Sequence, residues 1–283
     1  MVKGFDTDIT TFQEFPSRFS GVFEKKKMEE TCNGRQTTTK SGAWCLKSRR
    51  PPQMIRLNHG SYELPSHHVR ADAGIVKFLI TLMTAQQTLL DLGCGVGQYG
   101  RELIDYNKTW EKRYMGFDGA VNVEDFTGGF VTNANLGIEQ NLPVADWVVS
   151  LEVGEHIQHS MEDHYIQNLH MSNRKGIILS WGVLHQHGLA HINNHSPQYI
   201  MERFRRLGYK YDNTTTLKLR SSASYHWFKR SIYVILSDPL PGYLFSDGVK
   251  GRYRPFNPFF ESVSERCNHR CNSSYGVVYL EVS

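Results

Sequence analysis

LLDLGCGVGQYG, residues Leu89 to Gly100, is the stretch that decides the fold of this chain. A short apolar run ends in an acidic residue and gives way to four glycines, which are Gly93, Gly95, Gly97 and Gly100. Glycine adopts the left-handed backbone that a tight turn needs, and it lets the backbone approach a ligand closely. The stretch therefore predicts a buried strand that delivers a glycine-rich turn to a ligand and continues as a helix.

Strands and helices alternate on both sides of this turn. Apolar spacing and capping signals predict helices at 75–82, 99–104, 161–169 and 197–207, the last capped by Ser196 and followed by Gly208. Strands are expected at 88–92, 113–117, 129–132, 147–151 and 176–181, with a closing pair at 214–219 and 231–236. This α/β alternation predicts an open, mostly parallel sheet of seven strands with helices on both faces.

The alternating region, residues 70–238, is expected to form one domain with an extension at each end. Residues 1–69 mix charged residues, Thr and Gly without sustained periodicity, so we interpret them as an N-terminal extension that can act as a lid. Residues 239–283 are rich in aromatic residues and proline, so we interpret them as a C-terminal cap or a packed tail.

The charge of the chain argues against a nucleic-acid partner. Its 32 Lys and Arg residues against 28 Asp and Glu residues leave a formal net charge of +4, and these charges are interspersed rather than gathered into a stripe. No stretch approaches the roughly 18 apolar residues of a membrane-spanning helix, so no span is expected in this chain. The composition leaves the oligomeric state open.

The compartment has two interpretations. The N-terminus, MVKGFDTDIT, lacks the apolar core of a signal peptide, which favours a cytoplasmic protein. The alternative is the lumen of the secretory pathway, where terminal cysteines can form disulfides and sequons can carry glycans. The cysteines are Cys32, Cys45, Cys267 and Cys271, and the sequons begin at Asn107, Asn213 and Asn272.

Two ligand classes compete for the glycine turn. Gly95, Gly97 and Gly100 satisfy G-x-G-x-x-G, which is typical of a dinucleotide site. That interpretation runs the strand through Cys94 and leaves Asp91 charged in the middle of a buried strand, which is costly without a partner. If the strand ends near Leu90 instead, Asp91 stands at its carboxyl edge and the pattern becomes D-x-G-x-G-x-G. We expect this second arrangement.

With that pattern, LLDLGCGVGQYG resembles the first motif of class I S-adenosylmethionine-dependent methyltransferases, over roughly residues 71–237. The resemblance implies a Rossmann-like fold and S-adenosylmethionine as the cofactor. In that family the Asp and the first glycines hold the amino acid end of the cofactor, a role that falls here to Asp91, Gly93, Gly95 and Gly97.

Two further cofactor contacts follow from the same resemblance. An acidic residue that ends the second strand binds the ribose hydroxyls in the family, and Asp118 in MGFDG takes that position. An acid at this distance also suits the ribose of a dinucleotide, so Asp118 does not discriminate between the two ligands. Asn135 and Leu136 in NANL take the adenine-side positions, where the family usually has an acidic residue.

SLEVGEHI, residues 150–157, follows the fourth strand and supplies candidates for the reacting side. If Glu152 begins a helical turn, Glu155 and His156 share its face and the three side chains can bind a divalent ion. E-x-x-E-H is similar to the motif that helps to hold a divalent metal in ubiquinone-pathway O-methyltransferases and small-RNA 3′-end methyltransferases. His191, in HQHGLAHINNHSP, is the expected fourth ligand.

The identity and the presence of a metal stay open at this point. Carboxylates favour Mg²⁺, whereas imidazoles also allow Mn²⁺, Fe²⁺ or Zn²⁺. Without a metal, the Glu residues would line the cofactor pocket, Glu152 among them, and His156, His187 or His191 would act as general base. The candidate catalytic residues are therefore Glu155, His156, His187 and His191.

Together these features predict an enzyme that transfers a methyl group from S-adenosylmethionine to an oxygen or nitrogen of a small molecule. One alternative is an RNA 3′-end methyltransferase, which E-x-x-E-H followed by a later histidine suggests. The other is a non-catalytic S-adenosylmethionine-binding partner protein.

Overall fold

The computed structural model describes residues 68–237, together with Leu46 and Leu64. Almost all of the predicted N-terminal extension, the predicted C-terminal cap and the four terminal cysteines lie outside the described residues. The lid, the cap and the disulfides therefore stay predictions. Leu46 packs in a small cluster with Cys94 and Val96. Its amide donates to Oδ1 of Asn122 at 2.9 Å.

The described residues alternate between strands and helices throughout. The strands are β1 (Leu89–Leu92), β2 (Tyr114–Asp118), β3 (Val131–Asn133), β4 (Ala145–Ser150), β5 (Asn173–Ser180), β6 (Tyr209–Tyr211) and β7 (Ile232–Ser237). The α-helices are α1 (Ala73–Leu82), α2 (Gln98–Tyr106), α3 (Val123–Thr127), α4 (Glu162–Met171), α5 (Pro197–Arg206), α6 (Asn213–Ser222) and α7 (Phe228–Ser231). None of these helices is long and apolar enough to cross a membrane.

The seven strands form one sheet in the order β3-β2-β1-β4-β5-β7-β6. The first five strands in this order are parallel to one another, and β7 runs antiparallel to both β5 and β6. The order begins as in a doubly wound Rossmann sheet, and its direction reverses between β1 and β4. The predicted Rossmann-like, mostly parallel sheet is confirmed, and the β1/β4 crevice at its carboxyl edge is where such sheets bind ligands.

Helices cover both faces of the sheet because successive strand residues point to opposite sides. In β1, Leu90 and Leu92 pack in the same core as α4 and α5, whereas Leu89 packs in the core shared with α1, α2 and α6. All three leucines are fully buried. Burial on both faces explains why the strand reads as a continuous apolar run apart from its one acid.

One predicted strand is wrong. Residues 214–219, expected as a strand, lie in helix α6, and the short strand β6 comes before it. Asp212 caps the helix by accepting from the amide of Thr215 at 2.9 Å. Thr216 and Leu219, three residues apart, are its buried residues. The cap and this spacing override the β-propensity of the three consecutive threonines.

Candidate active site

The glycine turn after β1 has the backbone that its sequence predicts. Gly93, Gly95 and Gly97 have φ angles of 82°, 61° and 76°, a region that residues with a side chain rarely occupy. A Cβ atom at Gly97 would lie 2.5 Å from Cε1 of Phe130, and one at Gly93 would collide with Val153, which follows β4. The turn thus brings the end of β1 close to the segment after β4, and the start of α2 close to Phe130.

The expected position of Asp91 at the end of the strand is wrong. β1 continues to Leu92, and Asp91 is its third residue, paired with Gly116 of β2 and Val149 of β4. The Asp91 residue is 2% exposed, so its carboxyl group is buried beneath the glycine turn instead of standing at the open edge.

The burial of Asp91 is tolerated because the carboxyl group has a partner and can take up a proton. The hydroxyl of Tyr114 donates to its Oδ2 at 2.9 Å. Burial raises the pKa of Asp91 from 3.8 to about 7, the Tyr114 hydrogen bond opposes this rise, and the charge of Asp118 adds to it. Whether Asp91 holds the amino acid end of the cofactor stays a prediction.

Asp118, the last residue of β2, joins the glycine turn to the next loop. Its Oδ2 accepts from the amide of Gly95 at 2.7 Å and its Oδ1 from the amide of Ala120 at 2.8 Å. Burial raises the pKa of Asp118, and the two amides and His68 oppose that rise. The carboxylate therefore lies beside the middle glycine at the carboxyl edge of the sheet, and its contact with a ribose stays a prediction.

Asn135 and Leu136 follow β3, as expected for the adenine side. Oδ1 of Asn135 accepts from the amide of Gly137 at 3.0 Å. Leu136 is 3% exposed, and its carbonyl accepts from Nδ2 of Asn168 at 3.0 Å. The structure thus places both residues in an ordered turn, and their contact with adenine stays a prediction.

His68 belongs to the site although the sequence contained no signal for it. Its Cδ2 lies 2.9 Å from the position that a Cβ of Gly95 would occupy. The charge of His68 also contributes to lowering the pKa of His156. Gln98 fixes this segment by donating from Nε2 to the carbonyl of Val69 at 3.3 Å.

Glu152 was predicted to begin a helical turn, and this prediction is wrong. Its φ is 56°, a strained value for a residue with a side chain, and the turn covers Gly154–His156. Its Oε1 accepts from the hydroxyls of Ser180 at 2.8 Å and Ser231 at 3.1 Å. Its Oε2 accepts from Nε2 of Gln186 at 2.9 Å. The carboxylate is therefore held by the last residue of β5, the last residue of α7 and the loop after β5. Backbone strain of this kind is common at functional sites.

Glu155, His156 and His191 form a compact group of ligand-type side chains, with one ligand atom from each within 4.8 Å of the others. Glu155 is fully buried, and neither of its carboxylate oxygens has a hydrogen-bond partner among the described residues. Nε2 of His191 lies 4.0 Å from Oε1 of Glu155. Glu152 is not part of this group because its carboxylate is bonded elsewhere.

The electrostatics of the group follow from its burial. Burial raises the pKa of Glu155 well above its usual range, and the neighbouring charge of Glu152 adds to the rise. Burial, followed by the effect of His191, lowers the pKa of His156 to about 4. His156 is therefore neutral near pH 7, which is the form in which imidazole binds a metal.

The loop after β5 delivers His191 to this group. The amides of Ile192 and Asn193 donate to the carbonyl of Glu155 at 2.9 and 3.0 Å. His187 is exposed and lies outside the group. Of the four candidate catalytic residues, three therefore come together and the fourth does not.

These donors fit a divalent cation. A buried carboxylate without hydrogen bonds is costly unless an ion or a proton compensates it. Two imidazoles and a carboxylate are a donor set that first-row metals accept. Nδ1 of His191 is a further buried atom without a partner in the described part of the chain.

The glycine turn and the group formed by Glu155, His156 and His191 lie at the carboxyl edge of the same sheet, where the strand order reverses between β1 and β4. A glycine turn at this position, whose middle glycine is bonded to the acid that ends β2, agrees with both the sheet order and the motif resemblance. The fold is that of a class I S-adenosylmethionine-dependent methyltransferase.

No protein-family model and no curated protein matches the chain. Several methyltransferases of known structure are similar to it. Magnesium protoporphyrin IX methyltransferase from Synechocystis PCC 6803 is 16% identical, with a TM-score of 0.46 over 58% of this chain and 80% of that one. A TehB-like S-adenosylmethionine-dependent methyltransferase from Corynebacterium glutamicum is 14% identical, with a TM-score of 0.41 over 58% and 87%. The methyltransferase domain of bacterial CtHen1 is 16% identical, with a TM-score of 0.42 over 58% and 94%. These identities and TM-scores are low, so any function has to be argued from the chain's own residues.

Proposed function

We propose that this protein transfers a methyl group from S-adenosylmethionine to an oxygen or nitrogen of a small molecule, assisted by a divalent metal. The observation that carries the proposal is the fully buried carboxylate of Glu155, which lies beside His156 and His191 and accepts no hydrogen bond of good geometry from the described residues. That group lies at the same sheet edge as the glycine turn. A methyl donor and a metal-held acceptor would therefore meet in one crevice.

The cofactor side of the crevice is assigned from the glycine turn outward. Gly93, Gly95 and Gly97 let the backbone approach the amino acid end of the cofactor, with Asp91 beneath them. The Asp118 carboxylate, held by two amides, is oriented to accept from ribose hydroxyls. Asn135 and Leu136 would border the adenine.

The chain has two tasks in the reaction. The methyl group of the cofactor is already activated by its sulfonium, so the protein has to align the acceptor atom behind that carbon. It also has to remove a proton when the acceptor is a hydroxyl. A metal bound by Glu155, His156 and His191 would supply Lewis acidity, lowering the pKa of that hydroxyl.

A small apolar acceptor suits the loop that carries His191 better than RNA does. The loop exposes Leu184, Leu189 and Ile192, at 53%, 56% and 59% of their surface. Residues 182–196 contain no Lys or Arg to neutralise phosphates, which dominate the affinity for nucleic acid. We therefore place the small molecule ahead of the RNA end.

The test combines binding and turnover on the purified full chain. Calorimetry with S-adenosylmethionine should show binding that Asp118→Asn abolishes. Formation of S-adenosylhomocysteine should be screened against pools of phenols, catechols, carboxylates and amines, and against short RNA, each with Mg²⁺, Mn²⁺ or Zn²⁺. Glu155→Gln should remove the metal-dependent turnover, whereas Glu139→Gln, an exposed control, should retain it.

The outcomes separate the alternatives. No binding of S-adenosylmethionine would overturn the proposal as a whole. Binding without turnover on any pool would favour the non-catalytic partner protein. Turnover only with RNA would favour the 3′-end methyltransferase. Turnover that is equal with and without metal would overturn the part of the proposal that assigns a metal to the reaction.

A further inference from the structure

A second group of ligand-type side chains lies apart from Glu155, where α4 begins. One ligand atom from each of His159, Glu162 and His195 lies within 4.8 Å of the others. His159 precedes α4 in a short 3₁₀ turn, Glu162 is the first residue of α4, and His195 comes from the segment before α5. No sequence motif singles out these three residues as a site.

The distances in this group are close to those of a zinc site. Nε2 of His195 lies 2.6 Å from Oε2 of Glu162, and Nδ1 of His159 lies 3.6 Å from the same oxygen. With bonds of about 2.0–2.1 Å in a tetrahedral arrangement, ligand atoms are about 3.3 Å apart. The two measured distances lie on either side of that value. Small side-chain movements therefore make room for an ion.

Glu162 is held firmly enough to act as a fixed ligand. It is 2% exposed. Its Oε1 accepts from the hydroxyl of Tyr199 at 2.6 Å, and its Oε2 accepts from Nδ2 of Asn193 at 2.9 Å. The ring of His195 stacks on Tyr199 with centroids 3.9 Å apart. Hydrogen bonds of this kind orient a metal-binding carboxylate and its neighbours.

The group is also open to an incoming ion. The side chain of His159 is 75% exposed, whereas that of His195 is 16% exposed. An exposed imidazole beside an ordered carboxylate and imidazole is free to swing onto an ion without disturbing the core. The donor set of two nitrogens and one oxygen favours Zn²⁺ over Mg²⁺, which prefers oxygen ligands alone.

We propose that His159, Glu162 and His195 form a second metal site, separate from the group around Glu155, that binds Zn²⁺. On binding, the ion takes the place of the hydrogen bond between Nε2 of His195 and Oε2 of Glu162, and the neutral imidazole binds it through Nε2 with its ring proton on Nδ1. Water completes the coordination on the side of His159.

The second site has a consequence for the loop that carries His191. Asn193 joins the two groups, because its side chain donates to Glu162 and its amide donates to the carbonyl of Glu155. Zinc that bridges α4 and His195 therefore fastens the end of this loop to the body of the domain. The proposal does not depend on methyl transfer, and its test needs no activity.

The experiment measures zinc stoichiometry on the full chain after the protein has been stripped with a chelator. Zn²⁺ is titrated in competition with a chromophoric chelator for the wild type, His159→Ala and His156→Ala. His159→Ala should lose one tight equivalent, with affinity reduced at least about 100-fold, the upper end of the effect of removing a supporting hydrogen bond. The control variant His164→Ala removes an exposed imidazole of helix α4 and should bind zinc as the wild type does.

A second variant tests the geometry rather than the number of histidines. Tyr199→Phe removes the donor to Oε1 of Glu162 and should weaken zinc binding about 10–100-fold. Equal zinc affinity and stoichiometry in the wild type, His159→Ala and Tyr199→Phe overturn the second site. Loss of an equivalent in His156→Ala but not in His159→Ala also overturns the second site, and it supports metal binding by the group around Glu155. Loss in His159→Ala and His164→Ala alike identifies general surface binding and also overturns the proposal.

Discussion

Replacing Asp91 with asparagine should remove a large part of the pH dependence of stability. Asparagine has nearly the same shape, and its amide oxygen can still accept from the hydroxyl of Tyr114, as the carboxylate does at 2.9 Å. The substitution therefore changes the charge of the site without opening a cavity. We expect the variant to be more stable than the wild type above neutral pH.

The magnitude follows from the pKa of Asp91. This pKa is 3.8 for an unperturbed carboxyl group and about 7 in the folded protein, because burial disfavours the charged form. A pKa difference of one is equivalent to about 1.4 kcal/mol, so a rise of about three represents about 4 kcal/mol. Because the folded pKa is raised, the unfolded chain ionises first as the pH increases. The wild type therefore loses this free energy of unfolding between about pH 4 and pH 7.

The assay is urea unfolding of the wild type and Asp91→Asn from pH 4 to pH 9. The difference in the free energy of unfolding between them should grow by about 4 kcal/mol up to pH 7 and then stay constant. Tyr114→Phe is the matched control, because it removes the donor and should move the end of this change to higher pH. Parallel pH profiles for the wild type and Asp91→Asn, within about 1 kcal/mol, would refute the reasoning.

Three further predictions test the glycine turn, the residue that caps helix α6, and the histidine beside the glycine turn. Gly97→Ala should lower the free energy of unfolding by about 2 kcal/mol and weaken cofactor binding. The reason is that φ at this position is 76° and the added Cβ would lie 2.5 Å from Phe130. A urea midpoint equal to that of the wild type would contradict this. Asp212→Ala should cost about 1 kcal/mol by removing the cap bond to Thr215, with cofactor affinity by calorimetry unchanged. His68→Ala should weaken S-adenosylmethionine binding in calorimetry while the unfolding midpoint stays constant, since its ring packs on the cofactor turn; unchanged affinity would exclude the contact.

Most elements before β6 could be predicted because their signals are local. The helix α5 has a serine cap, a proline at its first position and an apolar spacing of about four residues, and it lies where predicted. The glycines of the turn after β1 have the positive φ angles that their residue type indicates. The helix α6 was missed because three threonines favour a strand locally, whereas packing of Thr216 and Leu219 favours a helix.

The site was predictable only in part, because some of its contacts join residues that are far apart in the sequence. Glu155 and His156 are neighbours in sequence, so their shared position followed from the motif. Glu152 was misplaced because its hydroxyl partners, Ser180 at the end of β5 and Ser231 at the end of α7, are distant in sequence. His68 had no motif at all, since its importance comes from a contact with Gly95 across the chain.

The sequence by itself determined the glycine turn, the order of strands and helices before β6, and the residue types that serve the crevice, because these depend on backbone conformation and nearby spacing. Only the tertiary structure decided that Asp91 is buried inside β1 and that the loop after β5 brings His191 to Glu155. It alone also placed His159 beside His195. Burial, pKa values and the spacing of ligand-type side chains depend on distances between segments that the chain order does not contain.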